Sequence, residues 1–198
     1  SKWLSDFVGE SYFKHKNRNV FHNGINLSIF KPSKWEQKDK TNIIGVSSVW
    51  NKAKGLDDFY KLRELLDPNK YDITLVGLNQ EQIDNLPEGI NGILRTNSAE
   101  DLAGLYSNAN VFINPTYADT FPTTNLEALA CGTPVVTYRT GGSPESITPS
   151  TGFVVEQGDI DGIINAIKEI ESRGKQYYSD ACRKYAEENF DKDKCFAK

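Results

Sequence analysis

From residue 41 onward the chain alternates between two patterns of apolar and polar positions. Short apolar runs rich in Val and Ile predict strands, and longer segments with apolar residues three and four apart predict helices. The predicted strands cover residues 42–48, 71–77, 89–95, 109–115, 134–138 and 152–156. The predicted helices cover about 55–66, 79–85, 99–107, 124–131, 143–147, 159–171 and 175–189. Because strands alternating with helices form a parallel sheet, we predict an α/β fold, a Rossmann-like doubly wound parallel sheet of about six strands.

Local signals support several of these boundaries. Ser98 and Asp101 are spaced as in a capping box at a helix start, and Gly132 followed by Pro134 predicts a helix end. The apolar runs VFIN and PVV are typical of central strands that are buried on both faces. We therefore assign these runs to the core.

Residues 1–40 do not follow the repeat. WLSDFVGESYF predicts one amphipathic helix, VFHNGINLSIFKP predicts a strand followed by a glycine turn, and SKWEQKDKTN predicts a polar linker. The chain also contains no Met, so we expect it to be a fragment of a longer protein, with a processed product as the alternative. We predict that residues 1–40 are the remnant of an N-terminal domain with an interdomain hinge, and that residues 41–198 form the Rossmann-like domain.

The charge and the cysteine content argue against several classes of function. The 27 acidic residues outnumber the 23 basic ones, and the basic residues form no stripe, which argues against a nucleic-acid partner. The three cysteines show no CxxC spacing, so we expect neither a disulfide framework nor a zinc site, and Cys131 is expected in the core. No apolar run approaches the roughly 20 residues of a spanning helix. These features predict a cytoplasmic protein.

The predicted fold indicates where a ligand binds. In a doubly wound sheet of order 3-2-1-4-5-6, the crevice lies at the carboxyl ends of strands one and four. The loops after these strands are VWNKAKG and TYADTFPTT. This topology brings Lys52 and Lys54 close to Asp119.

The second loop also delivers the start of a helix. The backbone N–H groups of Thr123, Thr124 and Asn125 are predicted to be free there, which makes an anion site, and Pro122 suits the first turn. With a lysine nearby, these donors favour a diphosphate. Glu127 lies one turn further on, where a carboxylate can accept hydrogen bonds from the hydroxyl pair of a sugar.

Simpler interpretations remain for several of these residues. Taken by itself, Asp119 could have a side chain that only initiates a turn. Lys54, taken by itself, could be a lysine exposed to solvent. Arg95, at the end of the third predicted strand, is a donor-binding candidate, although solvation is the better interpretation of this residue. His15 and His22 are expected to be structural and to lie away from the crevice.

At these residues the sequence resembles the retaining glycosyltransferases of the GT4 family, which have the two-domain GT-B fold. The chain is similar to their C-terminal, donor-binding half. The matching motifs are VFHNGINLSIFKP, KGLDDF, ITLVG, DLAGLYSNANVFINPT, DTFPTTNLEALACGTPVV and TGGSPE, in this order.

The resemblance implies a role for each matched residue. The family's Glu-x7-Glu signature falls on Asp119 and Glu127. Glu127 would bind the ribose hydroxyls of a nucleotide, the amides after Phe121 the diphosphate and sugar, and Asp119 the hydroxyls of the transferred sugar. Lys54 would neutralise the leaving diphosphate. Asp119 and Lys54 are therefore the implied catalytic residues.

Three positions depart from the family pattern. Asp119 is one methylene shorter than the family's Glu, which would alter sugar selectivity, and Pro122 replaces a common Gly. Val49 stands where the family has an Arg five residues before the lysine, so Lys52 is a candidate to replace that charge.

The resemblance also implies the partners. The donor would be a UDP- or GDP-sugar, with neither a cofactor nor a metal. The acceptor would be bound mainly by the missing N-terminal domain. The TFPTT turn is similar to that of transferases for bacterial surface polysaccharides, a pathway compatible with peripheral association of the full-length protein with the inner face of the membrane.

Three other functions are alternatives to a glycosyltransferase. A nucleotide-sugar epimerase of GT-B fold is similar, but DTFPTTNLEALACG fits the transferases better. A dinucleotide-dependent oxidoreductase would carry GxGxxG after the first strand, and this sequence does not. A non-catalytic binding module would be compatible with the departures at Asp119 and Val49.

Overall fold

A computed structural model describes residues 1–35 and 38–196. It contains one six-stranded sheet in which every neighbouring pair of strands is parallel. The strands are β1 (Thr41–Val46), β2 (Tyr71–Val76), β3 (Ile90–Ile93), β4 (Val111–Asn114), β5 (Val135–Tyr138) and β6 (Gly152–Val155). Their order is β3-β2-β1-β4-β5-β6, so the predicted doubly wound sheet is confirmed.

Of the described α-helices, four lie between successive strands as the pattern predicts, one precedes the first strand and three follow the last. They are α1 (Lys2–Gly9), α2 (Leu56–Leu65), α3 (Gln80–Asp84), α4 (Ala99–Asn108), α5 (Thr123–Ala130), α6 (Ile160–Arg173), α7 (Lys175–Asn189) and α8 (Lys192–Phe196). Two short 3-10 helices, Lys52–Lys54 and Ser143–Ser146, complete the described set. The second replaces the helix predicted at 143–147. Ser98 caps α4 by accepting a hydrogen bond from the N–H of Asp101 at 3.0 Å.

The core lies on both faces of the central strands. Every residue of β4 and β5 is buried, as their uninterrupted apolar runs predict. On α6 the buried residues Ile163, Ile167 and Ile170 recur at helical spacing and turn one face toward the sheet. The carboxyl ends of β1 and β4, which are neighbours, therefore have a rigid support.

The first 35 residues differ from the prediction. The helix predicted over 3–13 ends at Gly9, and the strand predicted near residue 20 is absent from the described part of the chain. Ile25 alone forms an isolated parallel bridge, with Asp191. The reason is that this segment runs beside α8 and not along a strand that could complete a ladder. Residues 36–37 of the predicted linker lie outside the described residues, and the domain boundary near residue 40 stays a prediction.

None of the described helices reaches the length and apolar character that crossing a membrane demands.

Candidate functional site

Lys54 and Asp119 form an ion pair at the predicted crevice. The Lys54 Nζ atom lies 2.8 Å from Asp119 Oδ2, and both side chains are partly buried. Lys54 ends the 3-10 helix after β1, and Asp119 lies in the loop after β4. Gly55 allows the two loops to approach, because its φ is 74° and a Cβ there would lie 2.3 Å from the carbonyl oxygen of Pro115.

Asp119 also shapes its own turn. Its Oδ1 atom accepts a hydrogen bond from the backbone N–H of Phe121 at 3.1 Å. The TGGSPE segment packs against this turn, since a Cβ on Gly141 would lie 1.9 Å from the carbonyl oxygen of Asp119. The side chain therefore initiates the turn, as the simpler interpretation predicts, and it also pairs with Lys54. Its proposed role toward a sugar stays a prediction.

A cavity of about 160 Å³ lies where β1, β4 and the start of α5 meet. Its walls come from the two predicted loops, from the ends of the two strands and from the first turn of α5. The lining residues are Val46, Ser47, Ser48, Trp50, Lys54, Asn114, Asp119, Pro122, Thr123 and Thr124. The predicted convergence of Lys54, Asp119 and the helix start is confirmed by this geometry.

The start of α5 offers donors to the cavity. Within the described chain, no side chain caps this helix, so the N–H groups of its first turn have no side-chain acceptor. The Asn125 N–H is not free, however, because it donates to the carbonyl oxygen of Pro122 at 3.3 Å. The Asn125 side chain is buried and bonds to Asn114 at 2.8 Å and to Ser146 at 3.0 Å. That part of the prediction for Asn125 is wrong, and the available donors belong to Thr123 and Thr124.

Glu127 is held by a residue that sequence analysis missed. The hydroxyl group of Tyr106, a fully buried residue of α4, donates to Glu127 Oε2 at 3.0 Å. Burial raises the pKa of Glu127 to about 7, although the hydrogen bond from Tyr106 lowers it in part. The sequence signal was the carboxylate in the apolar run LEALA, which indicated that Glu127 needs a partner without identifying it.

Two other predicted donor-binding residues lie elsewhere. Arg95 is exposed after β3, at the edge of the sheet, with β2 between β3 and β1. Lys52 is exposed and lines a different cavity, of about 400 Å³, together with Asp58 and Tyr117. The structure therefore does not gather Arg95 and Lys52 around the Lys54–Asp119 pair.

His22 lies beside the turn, so the prediction that it lies away from the crevice is wrong. Its ring stacks on the ring of Phe121, with centroids 4.6 Å apart and an interplanar angle of 12°. The contact joins residues almost a hundred positions apart, so no local sequence pattern predicts it. His15, in contrast, is exposed.

The family of the chain follows from a comparison with known sequences. The family model described as "Glycosyl transferases group 1" matches residues 28–189. The chain belongs to this family, and the observed fold is the one that the resemblance implied.

Individual relatives match smaller shares of the chain. A capsular polysaccharide biosynthesis glycosyltransferase of Staphylococcus aureus, CapM, is 26% identical over 165 residues, which cover 75% of this chain and 43% of the relative. A GDP-mannose-dependent phosphatidylinositol dimannoside mannosyltransferase of Mycobacterium tuberculosis is 34% identical over 102 residues, which cover 52% of this chain and 26% of the relative. The chain thus spans less than half of either relative.

Solved structures share the fold. Sucrose-phosphate synthase from Thermosynechococcus elongatus superposes with a TM-score of 0.85 at 22% identity, over 98% of this chain and 54% of that one. Anabaena HepE, solved in complex with UDP, has a TM-score of 0.74 at 19% identity, over 89% of this chain and 54% of that one. At these identities the likeness concerns the fold, and it identifies the chain as half of a GT-B structure.

Proposed function

We propose that the chain is the donor-binding half of a retaining glycosyltransferase and binds a nucleotide-diphosphate sugar. The observation that carries the proposal is the cavity in which Lys54, Asp119 and the uncapped start of α5 meet. Membership of the glycosyl transferase family supports it. UDP or GDP is the proposed nucleotide, because UDP is bound in the Anabaena structure and GDP-mannose is named for the mycobacterial relative.

Each group has a chemical task in the proposed site. The ammonium group of Lys54 and the first amides of α5, with the Thr123 and Thr124 hydroxyls, stabilise the negative charge that grows on the diphosphate as the glycosidic bond breaks. Asp119 accepts hydrogen bonds from the transferred sugar, and the backbone of Phe121 borders that position. Glu127 accepts from the ribose hydroxyls. No metal is assigned a role, and that choice stays a prediction.

The whole protein would act in polysaccharide or glycolipid synthesis, as the names of the relatives suggest. The acceptor would be held by a preceding domain. We therefore expect the present chain to bind donor without transferring sugar. Release of sugar to an acceptor by the purified chain would contradict this expectation.

Calorimetric titration with UDP, GDP, ADP and NAD tests the site. One nucleoside diphosphate should bind with micromolar affinity, and Lys54→Ala should weaken it about tenfold, since a charge-assisted hydrogen bond is lost. Asp119→Asn should leave that affinity unchanged or raise it about threefold, because the amide oxygen still accepts from Phe121 while Lys54 is released. The exposed Lys168→Ala variant is the control. Equal affinities for all four nucleotides, or no effect of Lys54→Ala, would contradict the proposal.

A further inference from the structure

Phe121 is clamped by aromatic rings from two distant parts of the chain. It is 6% exposed. The His22 ring lies flat on it, and the Phe190 ring meets it edge to face at a centroid distance of 6.0 Å. Because Phe121 lies between Asp119 and the start of α5, a fixed ring at this position also fixes the backbone of the donor turn, residues 119–122.

His22 is itself oriented by Glu145. Its Nε2 atom lies 3.2 Å from Glu145 Oε2. The carboxylate also accepts from the backbone N–H groups of Lys2 and Trp3, each at 2.7 Å. Burial opposes ionisation of Glu145, but the hydrogen bonds from Trp3, Lys2 and His22 hold its pKa below the usual value. The carboxylate is therefore a fixed acceptor that sets the plane of the imidazole against Phe121.

We propose that His22 is a positioning residue for the donor turn: its hydrogen bond to Glu145 and its stacking on Phe121 hold the turn where Asp119 meets Lys54. The inference rests on the proposed function, since it concerns the same site. His22 acts on the diphosphate-sugar end of the donor, because residues 119–122 border that end. Glu127 and Tyr106, which serve the ribose end, lie on α5 and α4 and do not depend on this contact.

A matched set of variants tests the proposal by calorimetry. His22→Ala removes both contacts, His22→Phe keeps the stacking, His22→Gln keeps a donor for Glu145, and His15→Ala is the control in an exposed position. The titrants are UDP-glucose, GDP-mannose, UMP and GMP. For the nucleotide that the wild type prefers, His22→Ala should weaken binding of the nucleotide sugar about tenfold, and His22→Phe should restore it to within about threefold. Binding of the monophosphate should change less than about twofold.

The readouts separate positioning from folding. A parallel loss of monophosphate and nucleotide-sugar affinity would overturn the proposal, because it would indicate general damage. Unchanged nucleotide-sugar affinity in His22→Ala would overturn it as well. If His22→Ala does not fold, the His22→Phe and His22→Gln variants test the proposal. We then expect weaker binding of the nucleotide sugar by His22→Gln and not by His22→Phe. If the wild type binds none of the titrants, the proposed function itself fails, and this inference fails with it.

Discussion

Burial gives the Glu127 carboxyl group a protonation equilibrium near neutral pH. Its pKa of about 7 lies well above the ordinary value of 4.5 for a glutamate, and Tyr106 is its hydrogen-bond partner. Both protonation states of the group are therefore accessible near neutral pH. A ribose hydroxyl pair that donates to Glu127 would favour the ionised form, since hydrogen bonds to a charged carboxylate stabilise it.

The pH dependence of stability tests this assignment. Because the folded pKa is raised, the protonated form stabilises the fold fully below about pH 4.5, and this contribution is lost as the pH rises toward 7. Relative to the wild type, Glu127→Gln should gain up to about 3 kcal/mol in free energy of unfolding between pH 4 and pH 8. Urea denaturation at both pH values measures the change, with the exposed Glu64→Gln variant as control. The same stability difference at pH 4 and pH 8 would contradict the assignment.

Single residues were predictable to different degrees. Lys54 and Asp119 could be paired from sequence, because the order of the strands decides which loops meet. The environment of Lys52 could not, since the three-residue 3-10 helix that carries both lysines turns them toward different cavities. The loop in which a residue lies can therefore be predicted to approach another loop. The local backbone conformation decides which cavity the side chain of that residue lines.

At the scale of elements, α5 is held in place by a polar junction. Asn125 joins Asn114 at the end of β4 to Ser146 in the second 3-10 helix, and the Asn125 and Ser146 side chains are fully buried. Such a junction orients the helix start at the crevice through directional bonds, whereas Leu126 and Leu129 of the same helix pack into the apolar core.

Removal of the junction should destabilise the fold. Asn125→Ala removes the acceptor of the buried Asn114 amide and the donor to Ser146, whose hydroxyl keeps its hydrogen bond to the Ser143 carbonyl oxygen. We expect this loss to cost roughly 2–3 kcal/mol in free energy of unfolding. Chemical denaturation measures this, and Asn97→Ala, at an exposed position before α4, should stay within about 0.5 kcal/mol of the wild type. A variant at position 125 as stable as this control would show that the junction contributes little.

At the scale of the whole molecule, the segment around Gly24 and Ile25 packs against the residues at the start of α8. The Ile25 N–H donates to the carbonyl oxygen of Phe190 at 2.6 Å, and the Lys192 N–H donates to that of Ile25 at 3.1 Å. Gly24 makes the approach possible, because a Cβ there would lie 2.3 Å from the Cα of Lys192. This packing places the same segment so that His22 stacks on Phe121 beside the crevice.

Two glycine substitutions test the close approach of Gly24 to Lys192. Gly24→Ala should separate the segment around Gly24 from the start of α8 and lower the free energy of unfolding by about 1–3 kcal/mol. Gly104→Ala is the matched control, since nothing lies within 4 Å of its Cβ position inside α4, and it should stabilise the fold by about 0.5–1 kcal/mol. Thermal or urea unfolding distinguishes the two. Equal effects of both substitutions would mean that the close approach at Gly24 is not tight in solution.

The sequence by itself determined the order of the elements, the parallel sheet and the meeting of Lys54 with Asp119 at the carboxyl ends of β1 and β4. The elements follow from the local periodicity of apolar residues, which the sequence shows directly. Their arrangement follows from the general right-handedness of crossover connections between parallel strands. Only the tertiary structure decided that Tyr106 holds Glu127, that Asn125 turns inward and that His22 stacks on Phe121. Such contacts join side chains of different elements, and they depend on how whole elements pack against one another, which no local pattern specifies.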